Sequence, residues 1–274
     1  MGYPETQEKE ITGILHCHST YSYDGKLSLK ELRELCIERG VSFVCMTEHV
    51  DEMNPEMAKA FIRECDTLSD TTFKFIPGFE VPYLNAHILM IGCREFFKNY
   101  APDIEALREW TGHTPFVVLA HPVRNEFEVD EKLLGELDAV EVWNQQYEGK
   151  RVPRTRSLTL LESLRKTKPM LIAIGGVDFH RIEHFGSPQI SLAPDTFTEG
   201  AIIEKLRTGA FTVHSERASF FGTLPNIHEF IRGHKIESAL SVLIIDAGKW
   251  VNKTLAQYNV RLPKWLKRLI RKKL

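Results

Sequence analysis

ILHCH, at residues 14–18, joins a short apolar run to two candidate metal ligands, His16 and His18. Three later segments repeat the arrangement: Val41 to Met46 before Glu48 and His49, Val117 to Ala120 before His121, and Leu171 to Ile174 before Asp178. Such apolar runs, bounded by Gly, Pro or polar residues, are typical of buried strands. The ends of several buried strands can place their side chains around one point. The pattern therefore predicts a multinuclear metal centre.

Strands and helices alternate along the predicted chain. Ser28 and Glu31 match a capping box that begins one helix, and Gly40 ends that helix. The predicted strands cover residues 14–18, 41–46, 73–76, 87–91, 116–120, 139–143, 169–174 and 210–213. Further predicted helices cover residues 55–68, 102–110, 130–137, 158–166 and 198–208. This alternation favours an α/β fold with a parallel sheet. Seven or eight such units fit a closed or distorted barrel better than two open sheets, and the active site of such a barrel lies at the C-terminal strand ends.

Composition and length place the chain among ordinary globular proteins. It has 274 residues, of which 43% are hydrophobic and 26% charged, which is enough for one α/β barrel domain with a large core. Met1 to Glu10 is polar, and the longest apolar stretches are too short to span a bilayer. The five cysteines show no CxxC spacing, so we expect reduced, mostly buried thiols in a cytoplasmic protein. Cys17 should point away from the face that carries its two histidine neighbours.

The net charge of −2 hides an asymmetry between the C-terminal end and the rest of the chain. Residues 261–274 carry seven basic residues and no acidic one. The other 260 residues carry 28 basic and 37 acidic residues, a balance of −9. An acidic body does not favour binding of long nucleic acids, but it suits a site whose cations offset negative charge.

The sequence resembles the PHP (polymerase and histidinol phosphatase) family in four motifs and in the residues between them. The motifs are His16-Cys17-His18-Ser19-Thr20 with its continuation to Gly25, Thr47-Glu48-His49, Ala120-His121-Pro122, and Gly176-Val177-Asp178-Phe179-His180. The intervening Glu and His of the family match Glu80, in PGFE, and His87, in HIL. The resemblance covers about residues 12 to 215. It implies a distorted (β/α)7 barrel and metal-dependent phosphoester hydrolysis.

Carried over position by position, the resemblance implies nine ligands for two or three divalent metal ions. One ion would be held by His16, His18, Glu80 and Asp178, a second by Glu80, His87 and His121, and a third by Asp24, His49 and His180. The chain departs from the family at Glu48, where Asp is usual, and the position of Asp24 varies among members. We expect Glu48 to lie behind the ligands. All nine positions carry ligand-type residues, which argues against a metal-free relative.

A set of imidazoles and carboxylates suits Zn, Mn or Fe(II), and it does not decide among them. Metal ions bridged by a carboxylate generate a hydroxide near neutral pH and neutralise phosphate oxygens, so no Ser or Cys nucleophile is required. Glu80, Asp178 and His180 are the candidate catalytic residues among the ligands.

Two arginines are candidates for binding the substrate. Arg124 follows His121 by three residues, and Arg181 directly follows His180. Guanidinium groups suit phosphate oxygens, although a solvated loop arginine is an equally good interpretation of each. Weaker candidates are His184, His214 and Arg217, while Glu141 and Asn144 are expected to orient ligands.

The family resemblance fades near residue 219, so we predict a metal-dependent domain over residues 1–218 and a helical extension over 219–274. Helical spacing of apolar residues runs from Ser238 to Tyr258, and Pro263 can start a last helix with a basic surround. We favour packing of this last helix on the body or on a partner subunit. The alternative is peripheral contact with an anionic membrane surface.

The leading functional hypothesis is a phosphatase or phosphodiesterase that acts on a small phosphorylated metabolite or nucleotide. An exonuclease on short oligonucleotides is a second enzymatic hypothesis, and it requires a basic, aromatic-lined groove. The third is a metal-stabilised binding module without catalysis.

Overall fold

The computed structural model describes residues 10–97, 104–111 and 114–257. The strands are β1 (Ile11–Cys17), β2 (Phe43–Met46), β3 (Glu48–His49), β4 (Lys74–Ile76), β5 (Gly78–Tyr83), β6 (Ala86–Ile91), β7 (Phe116–Ala120), β8 (Ala139–Asn144), β9 (Ile172–Gly176), β10 (Gln189–Leu192), β11 (Thr212–His214) and β12 (Ser219–Phe221). The helices are α1 (Leu29–Glu38), α2 (Pro55–Leu68), α3 (Ile104–Thr111), α4 (Glu131–Glu136), α5 (Gln145–Glu148), α6 (Thr155–Arg165), α7 (Glu199–Thr208) and α8 (Ile227–Gln257).

The strands form two six-stranded sheets, with the orders β12-β11-β10-β1-β2-β4 and β3-β5-β6-β7-β8-β9. A single residue, Thr47, separates β2 from β3, and Pro77 alone separates β4 from β5. Both chain segments therefore pass directly from the first sheet to the second. A third link between the sheets is an isolated bridge from Cys17, at the end of β1, to Phe179, just beyond β9. These links bring the ends of β1, β3, β5 and β9 together, which positions the site.

The prediction of an all-parallel sheet is wrong for part of the chain. The sequence analysis missed β5, because Pro82 interrupts its strand pattern. Leu84 and Asn85 alone join β5 to β6, and two residues cannot form a crossover helix, so this pair runs antiparallel. β10 also pairs antiparallel with β1 and β11. Among the described residues, the ladders form two sheets and not one closed ring.

The predicted helix boundaries with clear capping residues are confirmed. The Ser28 side chain accepts a hydrogen bond from the amide of Glu31, and the Glu31 carboxylate accepts one from the amide of Ser28 at 2.8 Å. Thr198 caps α7 in the same position, and Gly209 ends that helix in the left-handed conformation. α2 covers the predicted residues, with Asn54 as its N-cap. These local signals suffice because cap and stop residues satisfy backbone groups that the helix leaves unpaired.

All five cysteines are buried and free, as predicted. Burial raises the pKa of Cys17 and of the other four thiols, which disfavours the thiolate form that binds metals. Cys17 belongs to the hydrophobic core, together with Ile14 and Leu15 of the same strand. Cys17 therefore packs in the core and is not among the candidate ligands.

The C-terminal part of the described chain packs on the sheets and helices before it. β12 pairs with β11 and lies just beyond the domain boundary predicted at residue 218. α8, a helix of 31 residues, packs against α5 and α6. No helix in residues 10–97, 104–111 or 114–257 combines the length and apolarity needed to cross a bilayer. The basic segment 261–274, with the helix predicted after Pro263, lies outside the described residues.

A buried glutamate joins α5 to α6. Glu148 is 1% exposed, the Ser157 hydroxyl donates to its Oε1, and the Arg154 amide donates to Oε2 at 3.3 Å. Burial raises the pKa of Glu148 to about 8, although these hydrogen bonds and the charge of Arg154 oppose the rise. Glu148 is therefore protonated in the folded protein at neutral pH.

Replacing this residue, Glu148→Gln, should stabilise the protein increasingly as the pH rises. The unfolded chain loses the Glu148 proton near its ordinary pKa of 4.5, whereas the folded protein keeps it to about pH 8. The wild-type free energy of unfolding therefore falls across this window, and a glutamine does not titrate. The variant should gain on the order of 4 kcal/mol between about pH 5 and about pH 9, measured by urea unfolding. The exposed substitution Glu34→Gln is the control, and a gain that is equal at both pH values would contradict the account.

Candidate metal centre

The nine side chains predicted as ligands lie together at one end of the two sheets. Eight of them form four overlapping groups whose ligand atoms lie within 4.8 Å of one another: His18, His49 and His180; His16, His18 and Asp178; His16, Glu80 and His121; His49, Glu80 and His87. The ninth residue, Asp24, has Oδ2 at 3.0 Å from His180 Nε2 and Oδ1 at 3.7 Å from His49 Nε2. The strand ends therefore converge as the sequence predicts.

The carboxylate of Glu80 lies at the middle of the cluster. Its Oε2 is 3.2 Å from His16 Nε2, 3.3 Å from His18 Nε2 and 3.4 Å from His49 Nδ1. Its Oε1 is 3.0 Å from His121 Nε2 and also contacts His87 Nδ1. One carboxylate oxygen thus faces three imidazoles and the other faces two, which is the arrangement required of a bridging ligand.

Irregular backbone points several ligands into the centre. His16, His121 and Asp178 have φ values of 65°, 25° and 50°, in a region of backbone conformation that residues other than glycine seldom adopt. The pairing of β1 with β2 shifts register between Leu15 and Cys17, so His16 occupies a bulge. Bulges and strained residues of this kind re-aim side chains next to active sites, at a cost of about 1–3 kcal/mol for each strained residue.

Glu141 fixes the orientation of His16 from behind. His16 Nδ1 is 2.9 Å from Glu141 Oε1, and donation of this proton leaves Nε2 free to face Glu80. Glu141 Oε2 accepts from the His121 amide at 2.6 Å and from Asn144 Nδ2 at 3.0 Å. A hydrogen bond of this kind selects the tautomer of a ligand histidine.

Gly176 leaves the space that Glu141 occupies. A Cβ atom at position 176 would collide with Glu141 Oε1 and lie 2.8 Å from the Cβ of His16. The glycine of the Gly176-to-His180 motif is thus required by the approach of Glu141 to His16.

Glu48 holds the loop after His18 and lies behind the ligands. Its carboxylate accepts from the amide of Ser19 at 3.0 Å and from the hydroxyls of Ser19 and Ser22. The Ser22 hydroxyl in turn accepts from the His49 amide at 2.9 Å and lies 3.3 Å from His18 Nδ1. Burial raises the pKa of Glu48 to about 7, against these hydrogen bonds. The extra methylene of Glu relative to Asp is accommodated by contacts with two serines.

Three buried atoms of the cluster have no hydrogen-bond partner among the described residues: His18 Nε2, His49 Nδ1 and Asp24 Oδ1. Leaving buried polar atoms unpaired is costly, and metal coordination would satisfy all three. Burial also lowers the pKa of His18 to about 3, which keeps its imidazole in the neutral form that binds a cation. The residues present therefore fit divalent metal ions.

The carboxylates of the cluster are held in their charged form. Burial alone would raise the pKa of Asp178, but electrostatic interactions with His16 and His121 outweigh burial and lower the value to about 2. For His16, burial lowers the pKa, and the nearby carboxylates of Glu141, Asp178 and Glu80 outweigh burial and raise it well above its ordinary value. A bound metal cation would supply the positive charge that the added proton on His16 supplies to these carboxylates.

A model of the PHP domain family matches residues 15–190, which include every residue of the cluster. The chain belongs to the PHP domain family.

Curated relatives and a solved structure agree with this assignment. The chain is 26% identical over 113 residues to a probable histidinol-phosphatase of Thermotoga maritima, a match that covers 38% of this chain and 48% of the relative. It is 32% identical over 83 residues to the DNA polymerase/3'-5' exonuclease PolX of Bacillus subtilis, which covers 27% of this chain and 14% of that protein. The chain thus spans about half of the first relative and a small part of the second.

The fold is similar to that of a two-domain protein from Bacteroides vulgatus that contains a predicted PHP-like metal-dependent phosphoesterase. The TM-score is 0.54 at 15% identity, and the match covers 76% of this chain and 65% of that chain. At this identity the similarity shows the fold alone.

The structure separates the two arginines predicted to bind substrate. Arg124 is exposed at the rim of the PHP centre, with Nη1 3.5 Å from His87 Nδ1. Arg181 Nε instead donates to His184 Nε2 at 2.9 Å, and His184 Nδ1 lies 3.3 Å from the Asp178 carbonyl oxygen. Arg181 and His184 thus support the loop that carries the candidate ligands Asp178 and His180.

The other weak candidates lie elsewhere. His214 Nε2 is 2.9 Å from Ser191 Oγ, between β10 and β11, and Arg217 is exposed in the turn before β12.

Two tyrosines beside the centre were missed by the sequence analysis. Tyr23 is 56% exposed, and its ring stacks on His49 with centroids 5.1 Å apart. The Tyr147 ring lies 5.2 Å from that of His121. Tyr23 stands beside Asp24 in the first motif, so its position could have been inferred. Tyr147 follows β8 on the short helix α5, and no sequence pattern indicates its direction.

Replacing the buried glutamate behind His16, Glu141→Gln, should weaken metal binding by about 10- to 100-fold. A glutamine cannot accept hydrogen bonds on both of its polar atoms, so His16 Nδ1, the His121 amide and Asn144 would compete for one oxygen. Competition with a chromophoric chelator for Zn or Mn measures the change. Glu56→Gln, on the exposed first turn of α2, is the matched control. Equal metal affinity of the Glu141 variant and the control would show that Glu141 does not orient the ligands.

Proposed function

We propose that this PHP protein hydrolyses a phosphomonoester or phosphodiester of a small metabolite or nucleotide, with two or three divalent ions of Zn, Mn or Fe. The supporting observation is the Glu80 carboxylate, which faces five imidazoles in a cluster with unpaired buried atoms. The family and the name of the Thermotoga maritima relative support the same reaction class. We place the reaction in the cytoplasm, because all five cysteines are free.

The proposed ligand sets are those of the PHP motifs, with Glu80 shared between two ions. When bound, such ions lower the pKa of water and neutralise phosphate oxygens. In this proposal Glu80 and Asp178 supply the negative charge that holds the ions. His180 and Asp24, whose side chains lie 3.0 Å apart, belong to the ligand set of the third ion. In this proposal the two sheets, which do not form one closed ring among the described residues, correspond to the distorted (β/α)7 barrel of the family, with the site at the strand ends.

Residues at the rim bind and orient the substrate in this proposal. The exposed guanidinium of Arg124, next to His87, pairs with phosphate oxygens. The rings of Tyr23 and Tyr147 flank His49 and His121 and limit the access of water. Arg181 is exposed, so its terminal nitrogens can pair with a substrate phosphate while its Nε donates to His184.

An exonuclease acting on short oligonucleotides is the second candidate. The exposed ring of Tyr23 offers a surface on which a base can stack, and the matched Bacillus subtilis protein is a DNA polymerase and exonuclease. The acidic balance of the chain outside residues 261–274 favours the smaller substrates.

The substitutions Asp178→Asn and His18→Ala should each lower phosphoesterase activity by more than about a hundredfold, beyond the effect typical of residues behind the ligands. The first removes the negative charge and one carboxylate oxygen of Asp178, and the second removes the imidazole of His18, both from the group that contains His16. The measurement is hydrolysis of phosphate monoesters, nucleotides and short oligonucleotides, with metal content determined on the same sample.

The substitution His228→Ala changes an exposed histidine at the start of α8 and serves as the control. Full activity of the Asp178 and His18 variants would contradict metal-dependent hydrolysis. A wild-type protein that holds metal and hydrolyses none of the substrates would favour the binding module.

A further inference from the structure

One face of α8 is apolar and exposed to solvent. Its large side chains are Ile236 (78% exposed), Leu240 (54%), Leu243 (66%), Ile244 (43%) and Trp250 (67%). Counted from Ile236 they lie at positions i, i+4, i+7, i+8 and i+14, which places them along one side of the helix. The opposite side, which packs on the body, carries the buried residues Ser238, Ser241 and Ile245. In this stretch the larger apolar side chains face outward, which is the reverse of a helix that only covers a core.

The acidic side chains within this stretch pair with arginines of the body. Glu237 lies 3.8 Å from Arg151, and Asp246 lies 3.4 Å from Arg154. Ser238 also accepts a hydrogen bond from the Thr155 amide at 3.1 Å. These contacts hold α8 in one orientation and pair the acidic side chains beside the apolar face with basic residues of the body. Exposed apolar patches of this kind mark interaction surfaces.

The charge of the following chain indicates what the surface binds. Residues 261–274 begin eleven residues after Trp250 and carry seven basic residues and no acidic one. Trp265, Leu266, Leu269 and Ile270 lie among those basic residues. Apolar side chains with a tryptophan, next to a basic and apolar segment, match the two components of an anionic bilayer surface: its acyl boundary and its headgroups.

Two other occupants fit less well. At about 1.5 Å per residue, the stretch from Ile236 to Trp250 is about 21 Å long, whereas a helix from Trp265 to Ile270 would cover only about 8 Å of it. A helix of that length would leave most of the apolar face uncovered. A second copy of the chain paired in parallel along α8 would bring two segments of like charge close together, which is unfavourable. Antiparallel pairing is tested by light scattering.

We propose that the outer face of α8 and the basic segment after it bind the protein peripherally to anionic membrane surfaces. The apolar side chains of α8 enter the boundary between headgroups and acyl chains, and the basic residues pair with lipid phosphates. The body, with its balance of −9, is repelled from the same surface, so contact is confined to this side of the molecule. The proposal is independent of the proposed phosphoesterase activity.

Sedimentation of the full chain with vesicles tests the proposal. The protein should pellet with vesicles of phosphatidylcholine mixed with phosphatidylglycerol and not with phosphatidylcholine alone, and added salt should weaken the binding. The double variant Leu243→Gln with Trp250→Gln should bind at least about tenfold more weakly, since both side chains leave water on binding. The variant Met170→Gln changes an 82% exposed apolar residue outside α8 and should bind like the wild type.

A series of charge variants separates binding to anionic lipid from nonspecific hydrophobic adsorption. The triple variant Arg268→Gln, Arg271→Gln and Lys272→Gln should lose roughly a hundredfold in binding, at roughly fivefold for each basic residue. The matched triple variant Lys30→Gln, Lys59→Gln and Lys132→Gln changes exposed residues of α1, α2 and α4. It should keep wild-type binding.

Three outcomes would overturn the proposal. The first is equal sedimentation with neutral and anionic vesicles, or none with either. The second is a dimer in light scattering that the Leu243 and Trp250 substitutions convert to a monomer, which would assign the face to a second copy. The third is an increase in apolar-dye binding when residues 261–274 are deleted and no vesicles are present, which would show that this segment covers α8.

Discussion

The burial of one carboxylate, that of Glu80, sets the requirements for the rest of the site. Glu80 is 1% exposed, and five imidazoles surround its two oxygens. A charged group so far from water needs compensating positive charge and directed hydrogen bonds, because desolvation otherwise disfavours folding. The imidazoles can give part of this compensation, and divalent cations can give more. The metal centre and the arrangement of the strands are thus two aspects of one electrostatic constraint.

The backbone around Glu80 departs from regular geometry where this constraint applies. His16, His121 and Asp178 adopt positive φ values, and the pairing of β8 with β9 shifts register next to Glu141, as that of β1 with β2 does next to His16. Regular strands alternate their side chains between two faces and would send some of these groups into the core. Cation binding would therefore stabilise the folded state, since the unfolded chain does not assemble these ligands.

The sequence predicts the ligands better than it predicts the strands that carry them. His16, His121 and Asp178 were predicted because each follows an apolar run and lies in a motif, and the structure brings them together. β5, which carries Glu80, was missed because Pro82 and a two-residue turn do not resemble a strand–helix unit. The direction of Tyr147 and the burial of Glu148 depend on packing between α5, α6 and α8, and local sequence does not encode such contacts. The outward face of α8 has the same helical spacing as an inward one, so only the structure tells which side packs on the body.

The central claim is that the cluster around Glu80 binds metal ions. Anomalous X-ray diffraction from crystals of Mn-loaded protein, recorded above and below the metal absorption edge, tests it most directly. We predict at least two anomalous peaks among the nine side chains, with the Glu80 carboxylate in contact with two of the ions and each ion in contact with histidine nitrogens. Anomalous density confined to sites outside this cluster, or a crystal with no peak beside Glu80, would contradict the account.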